Sequence, residues 1–322
     1  MNVKGDKINK AISILDYFFV LRPMLFFPGW STLLAGYFIE GKKHLFVQSF
    51  DGALYDALKI IILLFSFAAA MGASFLLNQL KDIASDKEND KLYFISKGYI
   101  KKSAALVEII ILILAALASA LYISASIFIV VVLFIVLTGY LYNFRPFSMK
   151  DKPWLSLLAN AAMGFFAFAA GWLGAQEYSP HIFYDALPYL FFNTALYFYT
   201  TLPDIEGDKK SNKHTLAVDY GIKPLLWAAF GLYLLSLTSA LYLGDVQALF
   251  FILLSLPFFL TTIIKRDIGS AVRTTKFSIL FYALAVCFKL PFYFLLMVVV
   301  FFFSKWYFKA RFNVIYPSFG EN

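Results

Sequence analysis

Charge is scarce in this chain. Only 15% of its 322 residues are Asp, Glu, Lys or Arg, against roughly a quarter in soluble domains. With 61% hydrophobic residues and a mean hydropathy of +0.73, such a chain cannot hide its apolar surface in one soluble core. That excludes a water-soluble globular protein. Cysteine is nearly missing, and the single Cys287 rules out an intrachain disulfide. The alternating pattern of barrel strands is lacking. No small-residue cleavage pattern follows the first apolar run, so that run is expected to remain as a span. A basic nucleic-acid face is lacking too. The net charge is +8, but Lys and Arg sit beside apolar runs, a placement that suits membrane orientation and anionic lipid or phosphate.

What is present is a series of apolar runs near the roughly 20 residues that cross a bilayer as a helix. The expected spans are about 20–39, 57–80, 103–122, 124–142, 154–175, 184–202, 224–243 and 247–264. Residues 277–303 are apolar but interrupted by Lys289 and Pro291, which fits one kinked helix or two short ones. The fold class is therefore all-α: a polytopic transmembrane helical bundle of about nine spans around a central cavity. Residues 1–322 form a single integral-membrane domain. Its N-terminal segment, 1–19, reads as an interfacial helix with Ile8, Ile12, Leu15 and Phe19 on one face and Lys10 and Asp16 elsewhere. Segments 81–102, 143–153, 203–223 and 265–276 hold 6, 3, 4 and 4 Lys or Arg, whereas 176–183 and 244–246 hold none. The positive-inside rule puts the basic loops, and the N-terminus, in the cytoplasm.

Two acidic clusters end two of the runs. Asn78, Asp82 and Asp86 are spaced i, i+4, i+8 and line one helix face. Asp204 and Asp208 repeat the i, i+4 spacing, with Glu206 pointing elsewhere. Both clusters fall in cytoplasmic motif loops, 81–102 and 203–223. Carboxylates one turn apart repel unless a positive charge lies between them, and hard oxygen ligands of this kind suit Mg²⁺ held together with substrate phosphates. The alternative is that they are ordinary loop charges among Lys81, Lys87, Lys209 and Lys210. Asn78 argues against it, since an amide inside an apolar run needs a partner there. Glu108 and Lys289 are further charges within apolar segments, and Asn160 and Asn193 face either a cavity or a neighbouring helix. The halves rhyme, with one acidic cluster after the second span and one after the sixth.

The pattern Asn78-x-x-x-Asp82-x-x-x-Asp86 with Asp204-x-x-x-Asp208 resembles the two signature motifs of the UbiA superfamily of intramembrane prenyltransferases. The stretches Asp208-Lys-Lys-Ser-Asn-Lys-His-Thr215, Tyr142-Asn-Phe-Arg-Pro146 through Lys150, and Leu21-Arg22-Pro23 are similar to the family as well. In this chain Gln79 and Thr201 stand where many members carry Asp. The resemblance implies transfer of a prenyl group from an allylic prenyl diphosphate to a lipophilic acceptor. An aromatic quinone precursor, another isoprenoid lipid and a carotenoid-like polyene all fit as that acceptor. It also implies Mg²⁺ as cofactor, held by Asp82, Asp86, Asp204 and Asp208, with Asn78 completing the catalytic set. Arg22, Tyr142 and Lys150 are implied diphosphate contacts, though Arg22 also fits a helix anchor and Lys150 an orientation charge. The expected setting is an integral protein of the cell inner membrane, its acidic motifs on the cytoplasmic side. The competing classes are a transporter with ion-coupling carboxylates at the midplane and a non-catalytic relative.

Overall fold

The computed structural model describes residues 12–46, 53–83, 94–210 and 214–317, and among them every regular element is helical. The first rod, α1, runs Asp16–Tyr37. It breaks at Arg22, whose backbone is left-handed (φ 56°), and Pro23 restarts it in a 3-10 turn, Pro23–Leu25. There follow α2 (Ala53–Lys81), α3 (Lys102–Ile123), α4 (Ala125–Leu141), α5 (Pro153–Ala175) and α6 (Leu187–Thr200). The rest is α7 (Ile222–Leu243), α8 (Val246–Lys265), α9 (Ile268–Cys287) and α10 (Pro291–Phe312). Of these, α1, α2, α3, α5, α7, α8 and α10 are long and apolar enough to cross a membrane, and α4 is a shorter apolar helix.

The helix starts have local causes. The Ser124 hydroxyl accepts from Ile127 N at 3.2 Å and opens α4 directly after α3, giving a tight hairpin. Asp245 caps α8 through Ala248 N at 2.8 Å, and Asp267 caps α9 through Ser270 N at 2.7 Å. Proline occupies the first turn of α5 and α10, where its missing N–H costs nothing.

One expectation needs correction, and one alternative left open is decided. Residues 265–276 are not a loop, because Arg266 turns left-handed (φ 55°), Asp267 caps at once, and Arg273 and Lys276 ride on α9. The stretch 277–303 is not one kinked span: α9 stops at Cys287, and Pro291 opens α10. Lys289 sits between them and donates to the carbonyls of Gly41 (2.8 Å) and Phe46 (3.4 Å). The chain therefore ends in two helices instead of one, and the second brings Arg311 back to Asp16.

The N-terminal segment also departs from the expected face. Residues 1–11, with Ile8 and Lys10, lie outside the described residues. Asp16 is not on a polar side but buried together with Ile12 and Phe19. Its carboxylate accepts from the Tyr307 hydroxyl and from Arg311 Nη2 at 2.9 Å and Nε at 3.1 Å, and Phe19 stacks on Tyr307 with ring centroids 3.8 Å apart. A buried carboxylate requires such partners. These contacts clasp the start of α1 to α10.

Inside the bundle α2 packs on α3, α1 on α5, α6 on α7, and α8 on α9. The α1–α5 crossing is a backbone contact: a Cβ on Gly171 would sit 1.7 Å from the Leu33 carbonyl oxygen, and one on Gly36 would sit 2.1 Å from that of Phe168. Small residues permit this approach in membrane bundles, where shape fit replaces the hydrophobic drive. Asn193 spans from α6 to the Thr32 hydroxyl of α1 at 3.0 Å, taking the interhelical role of its two expected ones. Outward positions of α3 such as Ile110, Ile111 and Leu114 are more than half exposed, as a lipid-facing surface requires.

The two ends of the bundle differ. At the end away from the acidic motifs, Lys42 pairs with Asp185 at 2.6 Å, and the Tyr189 hydroxyl donates to Asp245 at 2.8 Å. The opposite end carries the acidic motifs.

Candidate active site

The site begins with an irregularity in α4. Its last turn, Val136–Leu141, is a π-helix, closed by Tyr142 N on the Leu137 carbonyl at 2.8 Å. The wider turn leaves backbone carbonyls for a side chain, as π-turns at functional sites often do. Asn143, fully buried, uses them: its Nδ2 donates to the carbonyls of Thr138 (2.8 Å) and Gly139 (3.2 Å). Both amide hydrogens are thereby spent, so Asn143 Oδ1 faces outward as an acceptor. Asn78 Nδ2 donates to it at 2.7 Å. The Asn78 amide is thus oriented, with its carbonyl oxygen presented as a hard ligand atom.

One turn on, Asp82 meets Lys150. The loop after α4 folds back through Lys150 N on the Tyr142 carbonyl at 3.2 Å. The Lys150 ammonium donates to both Asp82 oxygens, at 2.6 and 2.7 Å, with the two side chains 13% and 25% exposed. Lys150 is therefore more than an orientation charge in a loop; it is built onto the first motif. Asp86 lies outside the described residues.

The second cluster sits where Pro203 stops α6. Residues Leu202–Asp204 make a 3-10 turn and Ile205–Lys210 a short helix. Leu202 and Ile205 are buried beneath, which turns Asp204 and Asp208 to the opposite, more exposed side. A run of hydroxyls links this cluster to the first. Ser156 of α5 hydrogen-bonds the Tyr197 hydroxyl of α6 and that of Tyr142. Tyr197 lies within electrostatic reach of Asp208, and Tyr142 within reach of Asp82 and Asp151.

Among the described residues no three His, Cys, Asp or Glu side chains gather closely enough to hold a metal by themselves. Ser156, Tyr197 and Tyr142 lie between Asp82 and Asp208. Arg22 stands apart from Lys150 on the wall of a cavity that it shares with Gln79. The two residues that depart from the family pattern are each engaged in local structure. Gln79, buried, donates through Nε2 to the Val20 carbonyl at 2.9 Å and ties α2 to α1. The Thr201 hydroxyl returns to the Phe198 carbonyl at 2.8 Å.

Asn143, Ser156 and Tyr197 escaped the sequence reading. The signal for each was a polar group in or directly after an apolar run, as for Asn78.

Helical architecture, acidic helix ends and a lysine built onto one of them define a membrane-embedded bundle with a charged face at one end. The UbiA prenyltransferase family model matches residues 30–268, and the chain belongs to that family. Solved structures show the same fold. A UbiA homologue from Archaeoglobus fulgidus bound to GPP and Mg²⁺ is 22% identical and superposes with a TM-score of 0.64, covering 85% of this chain and 99% of its own. A digeranylgeranylglyceryl phosphate synthase is 18% identical, with a TM-score of 0.64 over 86% of this chain and 96% of its own. The apo UbiA homologue from Aeropyrum pernix K1 is 12% identical, with a TM-score of 0.61 over 85% and 97%. No curated protein matches the sequence.

Proposed function

We propose that the chain transfers a prenyl group from an allylic prenyl diphosphate to a lipophilic acceptor, an aromatic quinone precursor or another isoprenoid lipid. The observation that carries this reading is the Asp82–Lys150 pair beside the oriented Asn78 amide. A cation of the kind that suits phosphate, and hard oxygen atoms, lie together at one end of an apolar bundle, which supports the reading. The Archaeoglobus homologues, bound to GPP and Mg²⁺ and to DMAPP and Mg²⁺, support it.

The residues fit Mg²⁺. Asp82 already takes a cation on both oxygens, and every candidate ligand atom is a hard oxygen. Asp82, Asp86, Asp204, Asp208 and the Asn78 carbonyl would hold it, and when bound it would neutralise charge growing on the leaving diphosphate. Lys150 grips diphosphate oxygens once released from Asp82, and Tyr142 donates a hydrogen bond from the hydroxyl bridge. In the reaction the allylic C–O bond breaks and its electron pair leaves with diphosphate. A π pair of the acceptor forms the new C–C bond, and the displaced proton passes to the released diphosphate. The apolar walls exclude water from the allylic cation. The basic loops at the motif end support a cytoplasmic site in a cell inner membrane.

The test supplies radiolabelled geranylgeranyl diphosphate and membrane lipid extract to the purified protein, with and without Mg²⁺. The expected result is a labelled lipid that requires Mg²⁺ and vanishes in Asp82→Ala and Asp204→Ala. Unchanged turnover in both variants refutes the site.

A further inference from the structure

A buried serine or threonine on a helix commonly returns its hydroxyl to the carbonyl four residues back. Ser74, Thr194, Ser255 and Thr275 do so here, on Ala70 (2.9 Å), Leu190 (2.7 Å), Phe251 (2.7 Å) and Ala271 (3.0 Å). Ser156, buried in the first turn of α5, does not. Its backbone N donates to the Lys152 carbonyl at 2.8 Å, but its hydroxyl leaves the helix for those of Tyr197 and Tyr142.

Three hydroxyls carry three hydrogens. The two bonds inside the run use two of them, so one is left to point outward. The Ser156 hydroxyl has no further partner among the described residues, and an unused buried hydrogen there is costly. The outward hydrogen therefore leaves through one of the tyrosines. Tyr142 opens the loop whose Lys150 N returns to the Tyr142 carbonyl at 3.2 Å and whose Lys150 ammonium holds Asp82. That is the end at which an incoming diphosphate draws a donor.

We propose that Ser156 is a positioning residue for prenyl diphosphate: it accepts the Tyr197 hydrogen, gives its own to Tyr142, and so leaves the Tyr142 hydrogen aimed at a diphosphate oxygen. Aligned in this way, the three O–H dipoles reinforce one another. Ser156 acts through Tyr142, and Tyr197 acts through Ser156. The assignment rests on the prenyl-transfer reading. It adds that α6, the helix leading into the second acidic motif, supports the donor beside the first.

The test measures Mg²⁺-dependent equilibrium binding of geranyl diphosphate to the full chain in lipid nanodiscs, with no acceptor present and empty nanodiscs subtracted. Ser156→Ala should weaken binding by roughly threefold or more, within the range of one hydrogen bond. Ser156→Thr, which keeps a hydroxyl, should recover most of that loss. Tyr197→Phe should weaken binding by about twofold or more, because Ser156 is then free to turn back on the Lys152 carbonyl. In a Tyr142→Phe background neither Ser156→Ala nor Tyr197→Phe should cost anything further, a coupling that a merely structural role would not produce. Thermal unfolding checks that each variant is folded, and if Ser156→Ala is not, Tyr197→Phe decides.

Unchanged binding in the folded single variants, Ser156→Thr no better than Ser156→Ala, or losses that persist in full beside Tyr142→Phe overturn the positioning role and leave the prenyl-transfer reading standing. Failure of the unaltered protein to bind geranyl diphosphate with Mg²⁺ overturns that reading, and the positioning role with it.

Discussion

At the scale of single residues, the site depends on orientation more than on charge. Asn78 offers its carbonyl only because Asn143 has no hydrogens left to give, and Asn143 is held by a π-turn two residues back. Asn143→Leu should leave the Asn78 amide free to turn. The expected result is a roughly tenfold or greater fall in kcat/KM with a higher Mg²⁺ concentration for half-maximal rate, while buried-bond loss costs about 1–3 kcal/mol of stability. A Mg²⁺ titration of activity checks it, since a purely structural role would not move the metal dependence. Lys150→Ala should raise KM for the prenyl diphosphate by about tenfold or more, the value of one charge-assisted bond. Steady-state kinetics at saturating Mg²⁺ measure that. The spacing of Asn78 and Asp82 was readable from the sequence because one helix repeat places them. Asn143 was not, because its role depends on which carbonyls a non-α turn leaves open.

At the scale of helices, the long apolar runs of α2, α3, α5, α7 and α8 could be placed within a few residues from hydropathy alone. The end of the chain could not. Arg273 and Lys276 dilute the start of α9, and whether a Lys-x-Pro interruption bends a helix or ends it depends on what the lysine finds, here the Gly41 carbonyl. The α1–α5 contact was equally hidden, since Gly36 and Gly171 matter through what lies opposite them. Gly171→Val would drive side-chain atoms into the Leu33 carbonyl, a backbone atom that cannot rotate away. A loss of about 3 kcal/mol or more is expected, read as a lowered melting temperature in detergent. Gly231, with open space around its Cβ position, serves as control: Gly231→Ala should be neutral or slightly stabilising through helix propensity.

At the scale of the molecule, the two ends are tuned differently. Away from the acidic motifs, burial raises the Asp245 carboxyl from 3.8 to about 6, against opposing bonds from Ala248 N and Tyr189 and the nearby charge of Lys42. Asp185 adds to the upward shift. The folded protein therefore binds a proton more tightly than the unfolded chain. The stabilisation from that proton is complete below 3.8 and is lost as pH rises through about 6. Asp245→Asn keeps a helix cap and a partner for Tyr189 while removing the charge. It should flatten this part of the pH profile and raise stability at pH 7 by up to about 3 kcal/mol, measured by thermal unfolding between pH 4 and 8. The clasp of Asp16 on Arg311 carries a consequence in time. The partners are 295 residues apart, so at ribosomal speeds of about 5–20 residues per second the first helix waits roughly 15–60 s for its counter-charge. During that interval the membrane-insertion machinery holds a nascent chain whose first helix carries an unmatched carboxylate, and only translation of the last helix supplies its partner.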